Sequence, residues 1–190
     1  MTRLFHDRRV HSPEKVAIRE KYVRDTVRGY YEKHGSSYRN PHEPQVRRAI
    51  IEAMDSLAIA PGRVLDLACG SGEASLALVE LGWSVYAVDP YSGAAFRERL
   101  RLDPEPLSFE EIAAGLISDR RYDLIVCSYA MHLVPLSRLP LLAFRLKEIS
   151  PLLMTVSPHK RPSIKQEWGW SQRFQFVKER VRVAVYDRTT

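Results

Sequence analysis

The sequence predicts an α/β fold: a doubly wound, mostly parallel sheet with an antiparallel C-terminal edge and a helical N-terminal cap. Helix and strand patterns alternate along most of the chain. Residues 122–127 form a nearly continuous apolar run, as a strand covered on both faces requires, and residues 174–186 alternate apolar and polar side chains, as an antiparallel edge does. The 190 residues fit one compact domain, with 1–40 as the cap segment and 41–190 as the core.

The sequence predicts two amphipathic helices in its first 57 residues. Apolar residues recur at mostly helical spacing from residue 15 to 31 and, after a turn at 40–44, from 46 to 57. The next predicted elements are a strand at 63–67, a helix at 73–81 that ends at Gly82, and a second strand at 84–88.

The second half continues the alternation. A third strand at 106–108 is weakly marked, and a short helix at 109–114 follows it. The remaining predicted elements are a fourth strand at 122–127, a helix at 136–149, a fifth strand at 152–156, and either a hairpin or one bent strand over 174–177 and 181–186.

The composition indicates a soluble, cytoplasmic protein. No stretch approaches the roughly 20 apolar residues of a membrane span, and the charged N-terminus lacks the apolar segment of a secretory signal. Cys69 and Cys127 indicate neither a disulfide framework nor a metal site. His42 and Glu43 have no further ligands at useful spacing, so we predict no metal.

The net charge of +6 is unevenly distributed. Residues 1–40 and 155–190 each carry an excess of five positive charges, whereas residues 41–154 carry an excess of four negative charges. If the two ends meet in space, they would attract a polyanion; the alternative is that both are solvated surface.

The most informative motif is the run Val64–Glu73 with the strand that ends at Asp89. In a doubly wound sheet, ligands bind beyond the carboxyl ends of the strands, where the loop Ala68–Gly72 is expected. Glycines let the backbone approach a ligand, and the two oxygens of Asp89 suit the paired hydroxyls of a ribose. The motif therefore predicts an adenosine-type cofactor.

Residues 66–72 and Asp89 resemble the first two motifs of class I S-adenosylmethionine-dependent methyltransferases, and the resemblance extends over roughly residues 41–157. A dinucleotide-binding loop would have a third glycine where this chain has Ser75. The family's first glycine is Ala68 here. The resemblance implies a Rossmann-like sheet, S-adenosylmethionine as the cofactor and methyl transfer as the activity.

The resemblance also implies how the cofactor lies. Asp66 and the loop backbone would face its methionine part, Asp89 its ribose, and residues on two further loops its adenine. The implied cofactor-binding residues are Asp66, Ala68, Cys69, Gly70, Gly72, Asp89, Pro90, Phe109, Glu110, Ser128 and Tyr129.

Candidate catalytic residues follow the fourth predicted strand. By resemblance, Ser128–His132 would lie beside the departing methyl group, which makes Tyr129 and His132 the candidates. His132 suits an acceptor that must lose a proton, because the reference pKa of histidine is close to neutrality. The alternative is a histidine that packs at a helix start.

Candidate acceptor-binding residues lie in three segments. The tyrosines of the cap would close over the cofactor or stack on bases, and the basic loop after the fifth strand would hold phosphate or carboxylate. Two tryptophans further on would form a stacking wall. Core packing and solvated surface are the alternatives for these residues, which are Tyr30, Tyr31, His159, Lys160, Arg161, Trp168 and Trp170.

The sequence thus predicts a methyltransferase with an unidentified acceptor. The basic ends favour RNA or another anionic substrate, and a small-molecule acceptor is the first alternative. A second alternative is a non-catalytic cofactor-binding subunit that supports a partner. An NAD-linked oxidoreductase is disfavoured by the missing third glycine. No pattern indicates the oligomeric state.

Overall fold

The computed structural model describes residues 29, 33–35 and 39–189. They form a six-stranded sheet with helices on both faces. In chain order the elements are helix α1 (Glu43–Leu57), β1 (Arg63–Leu67), α2 (Glu73–Glu80), β2 (Ser84–Val88), α3 (Gly93–Leu100), α4 (Phe109–Ala113), β3 (Leu124–Ser128), a 3₁₀ turn (Met131–Leu133), α5 (Leu139–Ile149), β4 (Leu152–Ser157), a second 3₁₀ turn (Gln166–Trp168), β5 (Trp170–Lys178) and β6 (Val181–Arg188).

The strand order is β2-β1-β3-β4-β6-β5. The pairs β1–β2, β1–β3 and β3–β4 are parallel, and the last two pairs are antiparallel. This topology confirms the predicted doubly wound sheet and its antiparallel C-terminal edge. The strand order reverses at β1, so the carboxyl ends of β1, β2 and β3 meet where such folds bind ligands. The predicted N-terminal cap falls mostly outside the described residues.

Alternate residues of the central strands pack against opposite helix layers, as the period of two along a strand dictates. Val64 and Val126 contact the layer of α1 and α2, whereas Leu65 and Ile125 contact the layer of α4 and α5. Because both faces are covered, β3 is buried along its apolar part. This burial on both faces explains the nearly continuous apolar run at residues 122–127.

The predicted third strand at 106–108 is wrong. Only Glu105 pairs with the outer edge of β2: its amide donates to the Ala87 carbonyl at 2.9 Å, and its carbonyl accepts from the Asp89 amide at 3.0 Å. Pro104 and Pro106 flank it and have no N–H to extend the ladder. A cavity of about 120 Å³ lies along the outer edge of β2.

The last two strands form a hairpin rather than one bent strand. Lys178 pairs with Val181, so the turn contains only Glu179 and Arg180. Both have positive φ, at 49° and 68°, as a two-residue turn that matches the twist of a hairpin requires. Among the described residues, no helix has the length and apolar character to cross a membrane.

Candidate functional site

The glycine-containing loop after β1 alternates into left-handed backbone conformations. Ala68, Gly70 and Gly72 have φ of 58°, 55° and 87°. A Cβ on Gly72 would lie 2.4 Å from Leu100 Cδ1, so α3 packs directly on this glycine. A Cβ on Gly70 would meet nothing closer than 3.8 Å, so the backbone faces open space there. The loop therefore packs against α3 at Gly72 and is open at Gly70, where a ligand could contact its backbone.

Asp89 joins the end of β2 to this loop. Its Oδ2 accepts the Gly70 amide at 3.1 Å, and its Oδ1 accepts the Tyr91 and Ser92 amides, each at 2.8 Å. The carboxylate is buried. A carboxylate offers about four acceptor positions, and three are used here. Asp89 therefore fixes the loop and retains acceptor capacity towards the site; its contact with a ribose stays a prediction.

Asp66 is completely buried beneath the loop and has one unsatisfied oxygen. Its Oδ2 accepts the Ser75 hydroxyl at 2.6 Å, whereas Oδ1 has no hydrogen-bond partner among the described residues. Burial raises the pKa of Asp66 to about 7, although the Ser75 hydrogen bond opposes the shift. Buried carboxylates are rarely left half-satisfied, so this oxygen marks a place that fits a hydrogen-bond donor of a ligand.

Glu73 is a buried carboxylate that no sequence motif marked as a site residue. The Asn40 amide donates to its Oε1 at 3.1 Å, and the Ser71 hydroxyl donates to the same oxygen. Arg99 Nη1 lies 3.6 Å from that oxygen and donates to the Ser71 carbonyl at 3.1 Å, while the Arg99 guanidinium also pairs with Glu43. Glu73 therefore ties three segments together: the chain before α1, the glycine-containing loop and α3.

The β3 end brings two imidazole rings together. His132, in the 3₁₀ turn, and His159, in the loop after β4, meet edge to face with ring centroids 5.0 Å apart. His132 is half-buried, and its Nδ1 is buried without a partner in the described part of the chain. Burial, helped by the neighbouring His159, lowers the pKa of His132 to about 4. The imidazole is therefore neutral at physiological pH.

Tyr129 lies at the same edge in strained backbone, with φ of 56°. Its amide donates to the Val156 carbonyl at 2.7 Å, which ties the end of β3 to β4. Its ring centroid is 6.1 Å from that of His42, at the start of α1. Burial raises the pKa of the half-buried phenol above its usual range. Non-glycine residues in this conformation cluster at functional sites.

The remaining predicted cofactor residues also lie at this side of the molecule. Ser128 and Pro90 are half-buried, and Cys69 is buried, where desolvation raises the pKa of its thiol. Phe109 and Glu110 line a cavity of about 120 Å³ between α4 and the start of α5. Cys69 and Cys127 are both unpaired thiols. No group of three metal-ligating side chains exists within residues 29, 33–35 and 39–189.

The basic loop follows β4 directly. The His159 amide donates to Ser157 Oγ at 3.0 Å, which folds the loop back onto the strand end. His159, Lys160 and Arg161 are exposed. Neither of the latter two forms an ion pair with any residue that the structure describes. Tyr30 and Tyr31 lie outside the described residues.

Trp168 and Trp170 do not lie at this edge, contrary to expectation. Trp170 pairs with Arg188 at the opposite end of the sheet, about one strand length or roughly 17 Å from the end of β4. Its indole is fully buried and donates to the Ala143 carbonyl at 2.9 Å. Trp168 packs on the same core cluster. Their nearness to β4 along the chain suggested the carboxyl edge, but the segment 158–169 runs back to the opposite end of the sheet, beside the start of β4.

Comparisons with known proteins bear on this site. Residues 42–179 match a family model described as a methyltransferase domain. An uncharacterized protein of Schizosaccharomyces pombe is 29% identical over an alignment of 197 residues, covering 81% of this chain and 79% of that protein. An uncharacterized methyltransferase of Synechocystis is 33% identical over 81 residues, covering 42% of this chain and 38% of that protein.

The solved structure of magnesium protoporphyrin IX methyltransferase from Synechocystis, with bound S-adenosylmethionine, superposes with a TM-score of 0.61 at 16% identity. The match covers 90% of this chain and 96% of that one. At this identity the likeness concerns the fold.

Proposed function

The chain belongs to the methyltransferase-domain family, and from this premise we propose that it transfers the methyl group of S-adenosylmethionine to an anionic acceptor at the carboxyl edge of the sheet. The proposal rests on one juxtaposition at the carboxyl edge of the sheet. Asp66 and the glycine-containing loop lie at the end of β1, and Asp89 lies at the end of β2. His132 and the basic loop with His159 follow the neighbouring strands β3 and β4. Donor and acceptor sites then adjoin at one edge.

The residues around the loop fit S-adenosylmethionine. The unsatisfied Oδ1 of Asp66 suits the ammonium group of the cofactor's methionine part, and the free side of Gly70 leaves room for backbone contact. The remaining acceptor capacity of Asp89 suits a ribose hydroxyl. A bound ammonium would also lower the pKa of Asp66, because a nearby opposite charge favours the carboxylate.

When bound, S-adenosylmethionine supplies a methyl group on a positively charged sulfur. The bond from the acceptor atom to the methyl carbon forms as the carbon–sulfur bond breaks, and the electron pair of that bond stays on sulfur. The chain positions the two reactants. Where the acceptor atom carries a proton, His132 is the imidazole positioned to accept it; burial keeps this ring uncharged at pH 7 and also makes it a weaker base than an exposed histidine.

Unpaired charge supports an anionic acceptor. Lys160 and Arg161 are exposed beside the two imidazoles and have no ion-pair partner among the described residues. Surface cations near an acid usually pair with it, as Arg47 does with Glu80. Cations left free at the mouth of a site suit phosphate or carboxylate groups.

Methyl transfer from tritiated S-adenosylmethionine into RNA, protein and metabolite fractions tests the proposal. We expect label in one fraction, and loss of most of it in Asp89→Ala. A matched control is Asp103→Ala, since Asp103 is an exposed carboxylate paired with Arg97 outside the site. Thermal shifts with S-adenosylhomocysteine and with NAD accompany the assay, and stabilisation by NAD alone would refute the proposal.

A further inference from the structure

Four cations lie along the carboxyl edge beyond β4 and β6. Lys160 and Arg161 belong to the loop after β4, and Arg180 belongs to the two-residue turn before β6. Arg182 lies directly opposite Ser157 in the antiparallel β4–β6 pair. We call Lys160, Arg161, Arg180 and Arg182 the basic edge.

The basic edge continues from the imidazole pair. Directly opposed residues of an antiparallel pair project from the same face of the sheet, so Arg182 shares a face with Ser157. The His159 amide binds Ser157 Oγ, and Ile164 packs in the core cluster on that face, so the intervening loop covers it. His159 contacts His132 at the start of this loop. A ligand along the basic edge therefore reaches the proposed methyl-transfer site.

Nearby acids are engaged by other cations. Glu179 binds Arg48 through both oxygens, which lowers the pKa of Glu179, and Lys178 pairs with Glu52. In the part of the chain that the structure describes, no member of the basic edge forms an ion pair. Four unpaired cations repel one another, so the arrangement favours an anionic partner.

The extent of the basic edge fits several anionic groups. Neighbouring strands lie about 4.8 Å apart, so the backbone from the β4 loop across β6 to the β5–β6 turn spans roughly 7 Å, and the long side chains extend this reach. One carboxylate or phosphate engages one or two cations, whereas successive phosphates engage all four. Three of the four are arginines, whose planar guanidinium groups bind phosphate through two hydrogen bonds. The adjoining imidazoles provide flat rings for an unpaired base.

We propose that the basic edge binds the sugar–phosphate backbone of single-stranded nucleic acid and so delivers a nucleotide to the His132–His159 pair. This inference rests on the proposed methyl transfer and names its substrate class. Backbone contacts alone do not distinguish RNA from DNA, since both present the same phosphates. The experiment therefore includes both polymers.

Fluorescence anisotropy of the full chain with labelled oligouridylate and oligothymidylate of 12 nucleotides tests the proposal across salt concentrations. Each phosphate contact on a single strand contributes about 0.7 to the slope of log affinity against log salt. Four contacts predict that affinity falls about 50-fold between 50 and 200 mM salt. For the double variant Lys160→Gln and Arg161→Gln, two contacts remain and the fall is about 7-fold.

Arg180→Gly guards against misfolding as an explanation. Glycine favours the left-handed backbone that Arg180 adopts, so this variant removes a cation while easing the turn. We expect its salt dependence to fall to about 20-fold. Arg173→Gln is the matched control. It removes one positive charge from the same hairpin, but Arg173 pairs with Asp187 near the end of the hairpin that is remote from the turn. It should keep the full 50-fold dependence.

Titration with S-adenosylhomocysteine separates the two proposals. If that ligand binds while neither oligonucleotide does, or if the variants and the wild type share one salt dependence, the basic edge proposal is refuted and the proposed methyl transfer stands. If the basic-edge variants slow methylation of a small anionic metabolite while no oligonucleotide binds, the acceptor is that metabolite and the nucleic-acid inference is refuted. If S-adenosylhomocysteine does not bind, both proposals fail.

Discussion

The backbone amide of Asn40 donates a 3.1 Å hydrogen bond to the buried carboxylate of Glu73. Asn40 lies at the entry to the core, and Glu73 opens the helix that follows the glycine-containing loop. Because Glu73 also accepts from Ser71 in that loop, one carboxylate holds the loop and the chain before α1 in register. A buried ion with several donors is costly to disturb, since its removal leaves those donors unpaired.

Glu73→Ala should therefore destabilise the fold by about 2 to 4 kcal/mol, as expected when a buried, hydrogen-bonded charge is removed. Affinity for S-adenosylhomocysteine should fall as well, because the loop loses its anchor. Urea denaturation and calorimetric titration measure the two effects. Glu80→Ala in the same helix is the control: its exposed pair with Arg47 should contribute no more than about 1 kcal/mol. Equal losses in both variants would contradict the role assigned to Glu73.

Ala68→Gly should stabilise the protein. Ala68 has φ of 58°, a conformation that costs an alanine roughly 1 kcal/mol and a glycine much less. We expect the free energy of unfolding to rise by about 0.5 to 1 kcal/mol in urea denaturation. Ala74→Gly, in the helix that follows, provides the opposite sign, because glycine in a helix is unfavourable by about 1 kcal/mol. A destabilised Ala68→Gly variant would show that the methyl group makes a contact worth more than the strain.

The pH dependence of stability should reveal Asp66. Its pKa is about 7 in the folded chain, above the ordinary value near 3.9 of an unfolded one. The folded state therefore holds a proton that the unfolded state releases between about pH 4 and 7, and stability falls as pH rises through this window, by at most about 1.4 kcal/mol per pH unit. Asp66→Asn should flatten the profile while its amide oxygen still accepts from Ser75. An unchanged profile would place the titration elsewhere.

The parts of the fold that one local pattern determines could be predicted. The double burial of β3 leaves an apolar run, and the glycine-containing loop has a readable spacing, so both were found. The prediction of the third strand failed because strand pairing needs available N–H groups, and Pro104 and Pro106 have none. The predicted position of Trp170 was wrong because polarity does not show in which direction the segment 158–169 runs.

Contacts in the site between residues that are far apart in the sequence could not be predicted either. Arg182 joins the basic edge through its register opposite Ser157, and Glu73 binds Asn40, which is 33 residues earlier. No sequence periodicity reports either relationship. One signal for Glu73 was present: a glutamate in the first turn of a helix interacts favourably with the positive end of the helix dipole.

His159→Gln should shift the acid limb of the pH–rate profile. The pKa of His132 is about 4, lowered first by burial and then by the neighbouring imidazole, so His132 stays neutral down to acidic pH. Removing the imidazole of His159 removes a like charge and raises the pKa of His132 towards its ordinary value near 6.5. If neutral His132 accepts the proton, kcat/KM should then begin to fall at a higher pH than in the wild type. His42→Gln, which alters the ring beside Tyr129 and not the one beside His132, should leave the limb in place. An acid limb that is identical in His159→Gln, with methyl transfer retained, would exclude His132 as the proton acceptor.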